Sequence, residues 1–467
     1  MKNDELVYLD LVEVGRRIGA GMLSSVEVTR ALLERVAQLD GRLHSYARLT
    51  PELALAAAEQ ADREIAQGKA RGPLHGVPIA VKDLCDTQGI ATAAGTTIFA
   101  NHVPARDASV VARLKAAGAV LLGKLQMTEG AFSAHHPAIE PPVNPWSAAH
   151  WTGVSSSGSG VATAAGLCFG ALGTDTLGSI RFPSTMNGLS GLKPTWGRVS
   201  RAGVFPLAET MDHVGPMTRS AADAAAMLGA IAGADTQDPT TLQGPVPDYL
   251  AALDGGVRGL RVGIDRALIA GGADADMAGV ALDAAATLAT LGATLHEVVV
   301  PAPEQIVHDA VLLCATEAAV AHAATFPARA SEYGPVLSGL LELGRKLDGR
   351  AVAKIHQRRR QFSGRLAALF GEIDVLLLPA MDIGAPTLDY MAAHRNDAEA
   401  RYARVRFTAP FDMTGSPCLT LPGGTTADGL PVGFQLVGRH FDEALLLRAG
   451  HAYQQATDWH RRLPEGF

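Results

Sequence analysis

Gly76-Val77-Pro78-Ile79-Ala80-Val81-Lys82-Asp83 is the stretch on which the reading of this chain turns: an apolar run, opened by glycine, ends directly on a lysine. A short apolar run bounded in this way reads as a buried strand over 77–81, and Lys82 then projects from its end. The run 119–122 repeats the pattern, and between the two strands Asp107 is placed to cap a helix through Lys115. Upstream, Ser24 followed by Glu27 forms a capping-box signature before Val28, Leu32, Val36 and Leu39, which share one helix face. Thr50-Pro51-Glu52 opens a second helix, so residues 1–70 read as an N-terminal helical segment.

Downstream, residues 150–205 are dominated by Gly, Ser and Thr yet enclose apolar pieces such as 167–172, which describes structured loops around buried elements. Ser220 begins another helix, and residues 234–258, rich in Pro, Gly and Asp, form a surface excursion or an inter-lobe connection. Residues 260–264, an Ala-rich helix near 277–291 and residues 295–300 read as a βαβ unit. A long helical tract follows, in which the basic stretch 354–360 is read as a solvated face, and 374–378 and 433–437 complete the strands. No internal repeat is visible. Alternating helices and buried strands predict one α/β domain over 1–467, with a central sheet covered by helices on both faces. Its motif-rich core falls at 74–225, and 259–467 supplies the remaining sheet and covering helices.

With 467 residues, 48% hydrophobic and 19% charged, the composition is that of a folded globular protein. Forty Lys plus Arg against 47 Asp plus Glu leave a net charge of -7, which disfavours an electrostatic nucleic-acid binder and favours a small-molecule substrate. Cys85, Cys168, Cys314 and Cys418 lie far apart without zinc-site spacing, so no metal is expected. The N-terminus is acidic where a signal peptide needs a basic start, and no apolar run approaches the roughly 18 residues of a membrane span, so a cytoplasmic protein is expected.

No GxxxxGK[ST], GxGxxG before a helix, HExxH or GxSxG occurs, which removes the commonest phosphate, dinucleotide, zinc and nucleophile-elbow readings. Two Ser/Gly patches remain, Gly153-Val154-Ser155-Ser156-Ser157-Gly158-Ser159-Gly160 and Gly173-Thr174-Asp175-Thr176-Leu177-Gly178-Ser179-Ile180-Arg181. Together they could supply a nucleophile and, through backbone N–H groups aimed at one oxygen, an oxyanion hole. A Gly/Ser-rich turn is the plain alternative, and on the residues alone both stand. Lys82 is likewise either a solvated strand end or, if buried beside these serines, a proton acceptor. Lowering its pKa by about 3 units opposes ionisation by roughly 4 kcal/mol, which requires a purpose-built apolar pocket.

The stretch 76–83, TGVSSSGSGVATAAG from Thr152, GTDTLGSIRFP from Gly173 and GLKPTWGRVS from Gly191 resemble the amidase signature family. FTAPFDMTGSPCLTLPGG, with Gly429-Leu430-Pro431 and Gly433-Phe434-Gln435-Leu436 after it, is similar to that family's C-terminal segment. The resemblance covers most of the chain. It implies a single α/β domain with a mixed, largely parallel sheet between helical layers, and hydrolysis by a Ser-cisSer-Lys triad without a cofactor. Carried over, Ser179 is the nucleophile, Ser155 the bridging serine in the cis conformation and Lys82 the general base. The backbone N–H groups of Thr176, Leu177, Gly178 and Ser179 form the oxyanion hole. Asp175 and Arg181 orient the loop, and Ala131 falls where the family places a carbonyl near the substrate.

Two departures stand out. Leu177-Gly178 replaces the family's Gly-Gly, so the Leu177 side chain is expected to narrow or line the acyl pocket, and Val154 interrupts the usual GGSSGGS. The loop 134–142 carries His135-His136, a poor chelate when extended and read as a wall of the site, while Trp146 and Trp151 are either apolar lining or core. The function implied is cleavage of small or aromatic amides. HHPAIEPPVNPW and WTGVSSSGSG are similar to bacterial members that include urethane hydrolases, so carbamate cleavage is the close alternative. A transamidase subunit needing a partner and a non-catalytic binding protein are the further alternatives. Neither nucleic acid nor membrane is an expected partner, and a homodimer stays open.

Overall fold

The computed structural model describes residues 3–395 and 397–466. Its strands are β1 (Tyr46–Leu49), β2 (Pro78–Lys82), β3 (Val120–Leu125), β4 (Gly170–Asp175), β5 (Ser190–Lys193) and β6 (His213–Thr218). They continue with β7 (Arg261–Ile264), β8 (Thr294–Glu297), β9 (Val375–Pro379), β10 (Cys418–Thr425) and β11 (Pro431–Val437). All belong to one sheet, ordered β1-β3-β2-β4-β6-β5-β10-β11-β9-β7-β8. The parallel pairs are gathered in two triplets, β3-β2-β4 and β9-β7-β8. Antiparallel pairs join the triplets through the middle and add β1 at one edge. The protein is thus a single-domain α/β fold built on a large mixed sheet.

Successive strand residues face opposite sides, so a strand buried at every position is covered on both faces. That holds for β2, β3, β4, β6 and β9. The helix Ala275–Thr290 packs on β9, β10 and β11, Ala221–Ile231 on β6, and Pro51–Ala66 on β3. Local signals explain where several helices begin. Ser24 and Glu27 form the reciprocal capping box, and Ser220 accepts the Asp223 N–H as an N-cap.

The βαβ reading is realised, with β7 and β8 parallel and Ala275–Thr290 between them, although β8 closes at Glu297. Other expectations need correction. Asp107 does not cap the helix Ser109–Ala116: Ala108 occupies that position, and the Asp107 carboxylate is taken by Lys115 Nζ at 2.8 and 2.9 Å and by the Gln88 N–H. The first 70 residues are not all helical, because Tyr46–Leu49 pairs antiparallel with β3. The basic stretch 354–360 is only partly solvated. Arg358 forks onto buried Asp309, and Arg359 donates to the Thr210 and Met413 carbonyls. Residues 234–258 do not join two lobes. Asp235 and Asp238 bind Ser200 and Arg201 of the same body.

Candidate active site

Strand β2 carries Lys82 to the end of its parallel neighbour β4, where the chain turns over residues 176–180 into the short helix Arg181–Met186. The second Ser/Gly patch approaches the same place, and the Val154–Ser155 peptide is cis. Gly153 makes this approach feasible. It adopts φ +74, and a Cβ there would lie 2.5 Å from Pro183 backbone atoms.

Lys82 is fully buried and its Nζ touches three hydroxyls: Ser155 Oγ at 2.7 Å, Thr174 Oγ1 at 2.8 Å and Ser156 Oγ at 2.9 Å. None of these partners is a carboxylate. Burial pushes its pKa down to about 7, against the opposing influence of Cys85, Asp175 and Asp212. Ser156 is already committed, since its hydroxyl donates to the Thr174 carbonyl and accepts the Thr174 N–H, both at 3.2 Å. A neutral lysine therefore has a lone pair to offer to the Ser155 or Thr174 hydroxyl. Ser179 lies beside this group, its carbonyl accepting the Ser156 N–H at 3.3 Å. Among the described residues the Ser179 hydroxyl has no hydrogen-bond partner, so the structure joins Lys82 to Ser155 but leaves the Ser155–Ser179 link open.

Asp175 shapes the turn that presents Ser179. One carboxylate oxygen accepts the Gly178 N–H at 2.7 Å, and the other accepts the N–H groups of Ile180 at 3.0 Å and Arg181 at 3.3 Å. This corrects one expectation: the Gly178 N–H is committed to Asp175 and is not available to an oxyanion. The N–H groups of Thr176, Leu177 and Ser179 carry no partner among the described residues. The Leu177 carbonyl is fixed by the Thr408 hydroxyl at 2.5 Å, and Gly178 lets the Phe182 ring lie against the turn, 2.4 Å from where a Cβ would stand.

Arg181 clamps Asp175 through Nε at 3.0 Å and through an η nitrogen at 2.9 Å, and that nitrogen also reaches Asp412 at 2.6 Å. All three side chains are fully buried. Burial alone would raise Asp175, but the Arg181 charge and hydrogen bonds outweigh it and hold the carboxyl below the ordinary carboxylate range. Burial likewise opposes the Arg181 charge, and Asp175 and Asp412 more than restore it. The pair is a scaffold with no proton to exchange near neutrality. Asp412 comes from the quoted stretch FTAPFDMTGSP, but nothing in its spacing marked it as the second partner.

Ala131, in the left-handed region at φ +62, lines a cavity of about 260 Å³ together with Thr174, Leu84, Phe205 and Asp212. His135 and His136 diverge: His135 Nε2 meets Ser157 Oγ at 3.0 Å, and His136 Nδ1 accepts the Ala138 N–H. Among the described residues no three His, Cys, Asp or Glu side chains are gathered to hold a metal. Trp151 is buried with its ring 6.2 Å from that of Phe182, behind the turn, and the Trp146 indole donates to the Asn187 carbonyl. Sequence reasoning missed Ser156, Thr174 and Asp212 as members of the site. The first two stood inside the quoted patches, and only the pairing of β4 with β6 brings in the third.

The chain belongs to the amidase family, whose model matches residues 27–447, and is by class a hydrolytic amidase. The AmiD protein of Mycobacterium tuberculosis is 50% identical over 464 residues, covering 99% of this chain and 97% of its own. One component of the glutamyl-tRNA(Gln) amidotransferase of Chloroflexus aggregans is 39% identical and covers 99% of both chains. Among solved structures, the native peptide amidase of Stenotrophomonas maltophilia superposes with a TM-score of 0.83 at 33% identity, covering 98% of each chain. Among the described residues no helix is long and apolar enough to cross a membrane.

Proposed function

We propose that this amidase cleaves the C–N bond of small or aromatic amides through an acyl-enzyme on Ser179, with Lys82 as general base and Ser155 as the proton relay. The observation that carries the reading is a fully buried lysine held 2.7 Å from Ser155 Oγ by hydroxyls alone. Ser179 Oγ attacks the substrate carbonyl carbon while its proton passes to Ser155 Oγ, whose own proton moves to Lys82 Nζ. The oxyanion is received by the N–H groups of Thr176, Leu177 and Ser179, where each donor is typically worth about 100 to 1,000-fold in rate. Collapse returns the proton through Ser155 to the departing nitrogen, the amine leaves, and water hydrolyses the ester by the same relay. Catalytic hydrogen bonds often tighten only with substrate bound, and the relay requires Ser179 Oγ to close on Ser155 Oγ at that stage.

The test is turnover of the purified chain on anilides, primary amides, aryl carbamates and glutamine, beside Ser179→Ala. Amine release that disappears in the variant is the expected result. Wild-type turnover by Ser179→Ala would defeat the assignment. Carbamate cleavage uses the same attack, and its carbonic half-ester would release CO2 and an alcohol. The likeness to the amidotransferase component favours one second reading, ammonia production from glutamine for a partner. Glutamine-dependent ammonia release that appears only on adding a co-purified partner would support it.

A further inference from the structure

The pairing of β4 with β6 sets Asp175 opposite His213, which places Asp212 beside Thr176, one step past the strand end. The Asp212 carboxylate is almost completely buried and is held from two directions. Thr176 Oγ1 donates to Oδ1 at 2.6 Å, the Leu207 N–H donates to Oδ2 at 2.9 Å, and the Ala208 N–H lies 3.1 Å from both oxygens. It is also a wall of the cavity that contains Thr174, the residue whose hydroxyl binds Lys82 Nζ. Three anionic or ionisable groups face Lys82: Cys85 beyond the end of β2, Asp175 and Asp212. Cys85 is held as a neutral thiol, since burial raises its pKa to about 12. Asp175 is neutralised by Arg181. Asp212 has no ion-pair partner among the described residues, and burial raises its own pKa to about 6, so it carries its charge above that pH. The groups that act on Asp212 in turn are Arg201, which lines the same cavity, and Cys314, from the helix Glu304–Ala321.

We propose that Asp212 is a positioning residue for this active site: its carboxylate pins Thr176 at the head of the Ser179 turn and supplies the un-neutralised negative charge that faces Lys82. This rests on Lys82 being the general base. Two consequences separate the charge from the pinning. Removing the negative charge makes protonated Lys82 less stable, so its pKa falls and the acid limb of the kcat/KM profile moves to lower pH. Removing the Thr176 hydroxyl loosens an oxyanion donor, so kcat falls while KM holds.

The experiment is the pH–rate profile of wild type, Asp212→Asn and Asp212→Glu on one amide substrate, with kcat and KM of Thr176→Val at the wild-type optimum. The expected results are an acid limb displaced downward by about half a pH unit or more in Asp212→Asn and in place in Asp212→Glu. Thr176→Val should lose roughly 10-fold in kcat with KM little changed. A limb that stays put in Asp212→Asn overturns the charge role, and wild-type kcat in Thr176→Val overturns the pinning. The second arm stands if the Asn amide, facing the Leu207 and Ala208 N–H groups, prevents folding. A wild-type profile with no acid limb would instead overturn the assignment of Lys82 as base.

Discussion

Lys82 and Lys124 sit on adjacent parallel strands, where Lys82 is registered against Leu125 and Lys124 against Val81, and both side chains are fully buried. Their partners differ. Lys124 Nζ binds Thr92 Oγ1 at 2.6 Å and pairs with Asp83 at 3.3 Å, whereas Lys82 Nζ meets only the hydroxyls of Ser155, Ser156 and Thr174. Burial lowers both lysines, and at Lys124 the Asp83 charge works directly against it. Equal burial therefore yields two kinds of group: a lysine tied to a carboxylate, and an amine that gives up its proton near neutral pH. What a buried lysine does is decided by whether a carboxylate pairs with it directly.

The comparison breaks most visibly if either lysine is removed. Lys82→Met should lower kcat by about 1,000 to 10,000-fold and erase the acid limb, which lies near pH 7 in the wild type, with activity falling as pH drops and Lys82 protonates. Lys124→Met should keep kcat within about 3-fold and leave the limb in place, because Lys124 has no part in the relay. Its effect belongs in a denaturant melt, where stranding Asp83 should cost roughly 3 kcal/mol. Lys82→Met should do the opposite in that melt. The Lys82 pKa is depressed from 10.5 to about 7 in the folded protein, so the unfolded chain binds more protons between those values and stability rises with pH across that window. Removing the lysine should stabilise the fold near pH 7 by on the order of 2 kcal/mol and flatten that slope.

Asp175→Asn tests the neighbouring scaffold. Asp175 holds the Gly178, Ile180 and Arg181 N–H groups, and replacing its carboxylate should misplace the Ser179 turn at a cost of about 100-fold in kcat. A smaller effect should come from Leu177→Gly, which removes a half-buried side chain from the turn but keeps its N–H. We expect a shift of about 10-fold in the kcat/KM ratio between bulky and small acyl groups, measured on paired anilides. An unchanged ratio would mean that Leu177 does not face the acyl group.

Much of this was legible in the sequence wherever a signal was local. The run 77–81 announced β2 because five consecutive apolar residues can be satisfied only between two covered faces, and Ser24 with Glu27 announced a helix start that forms as read. Lys82 and the two Ser/Gly patches stand out from the residues, while the roles of Lys82, Ser155 and Ser179 come from the family resemblance; the fold sets Ser155 Oγ 2.7 Å from Lys82 Nζ and joins the Ser179 carbonyl to the Ser156 N–H. Features set by distant chain were not legible. β1 is four residues long with Ala47 and Arg48 exposed, so no alternating or continuous apolar run marked it until β3 supplied its partner. Asp107 looked like a cap until Lys115 and Gln88 claimed it. The Gly178 N–H was assigned to the oxyanion hole because its spacing matches the motif, but only the turn's geometry shows that Asp175 already holds it. Asp412 and Asp212 reach the site across 231 and 36 positions of chain, respectively, and no local pattern reports such contacts.

The central claim is that Lys82, lacking a carboxylate partner, activates Ser179. It is tested most directly by the rate of covalent labelling with a fluorophosphonate, followed by intact-mass spectrometry and peptide mapping across pH in wild type and Lys82→Met. The account predicts one adduct per chain, on Ser179, with a labelling rate that rises to a plateau through a midpoint near pH 7 and collapses in the variant. Labelling of Ser155 or Ser156 instead, or Ser179 labelling at the wild-type rate in Lys82→Met, would contradict it.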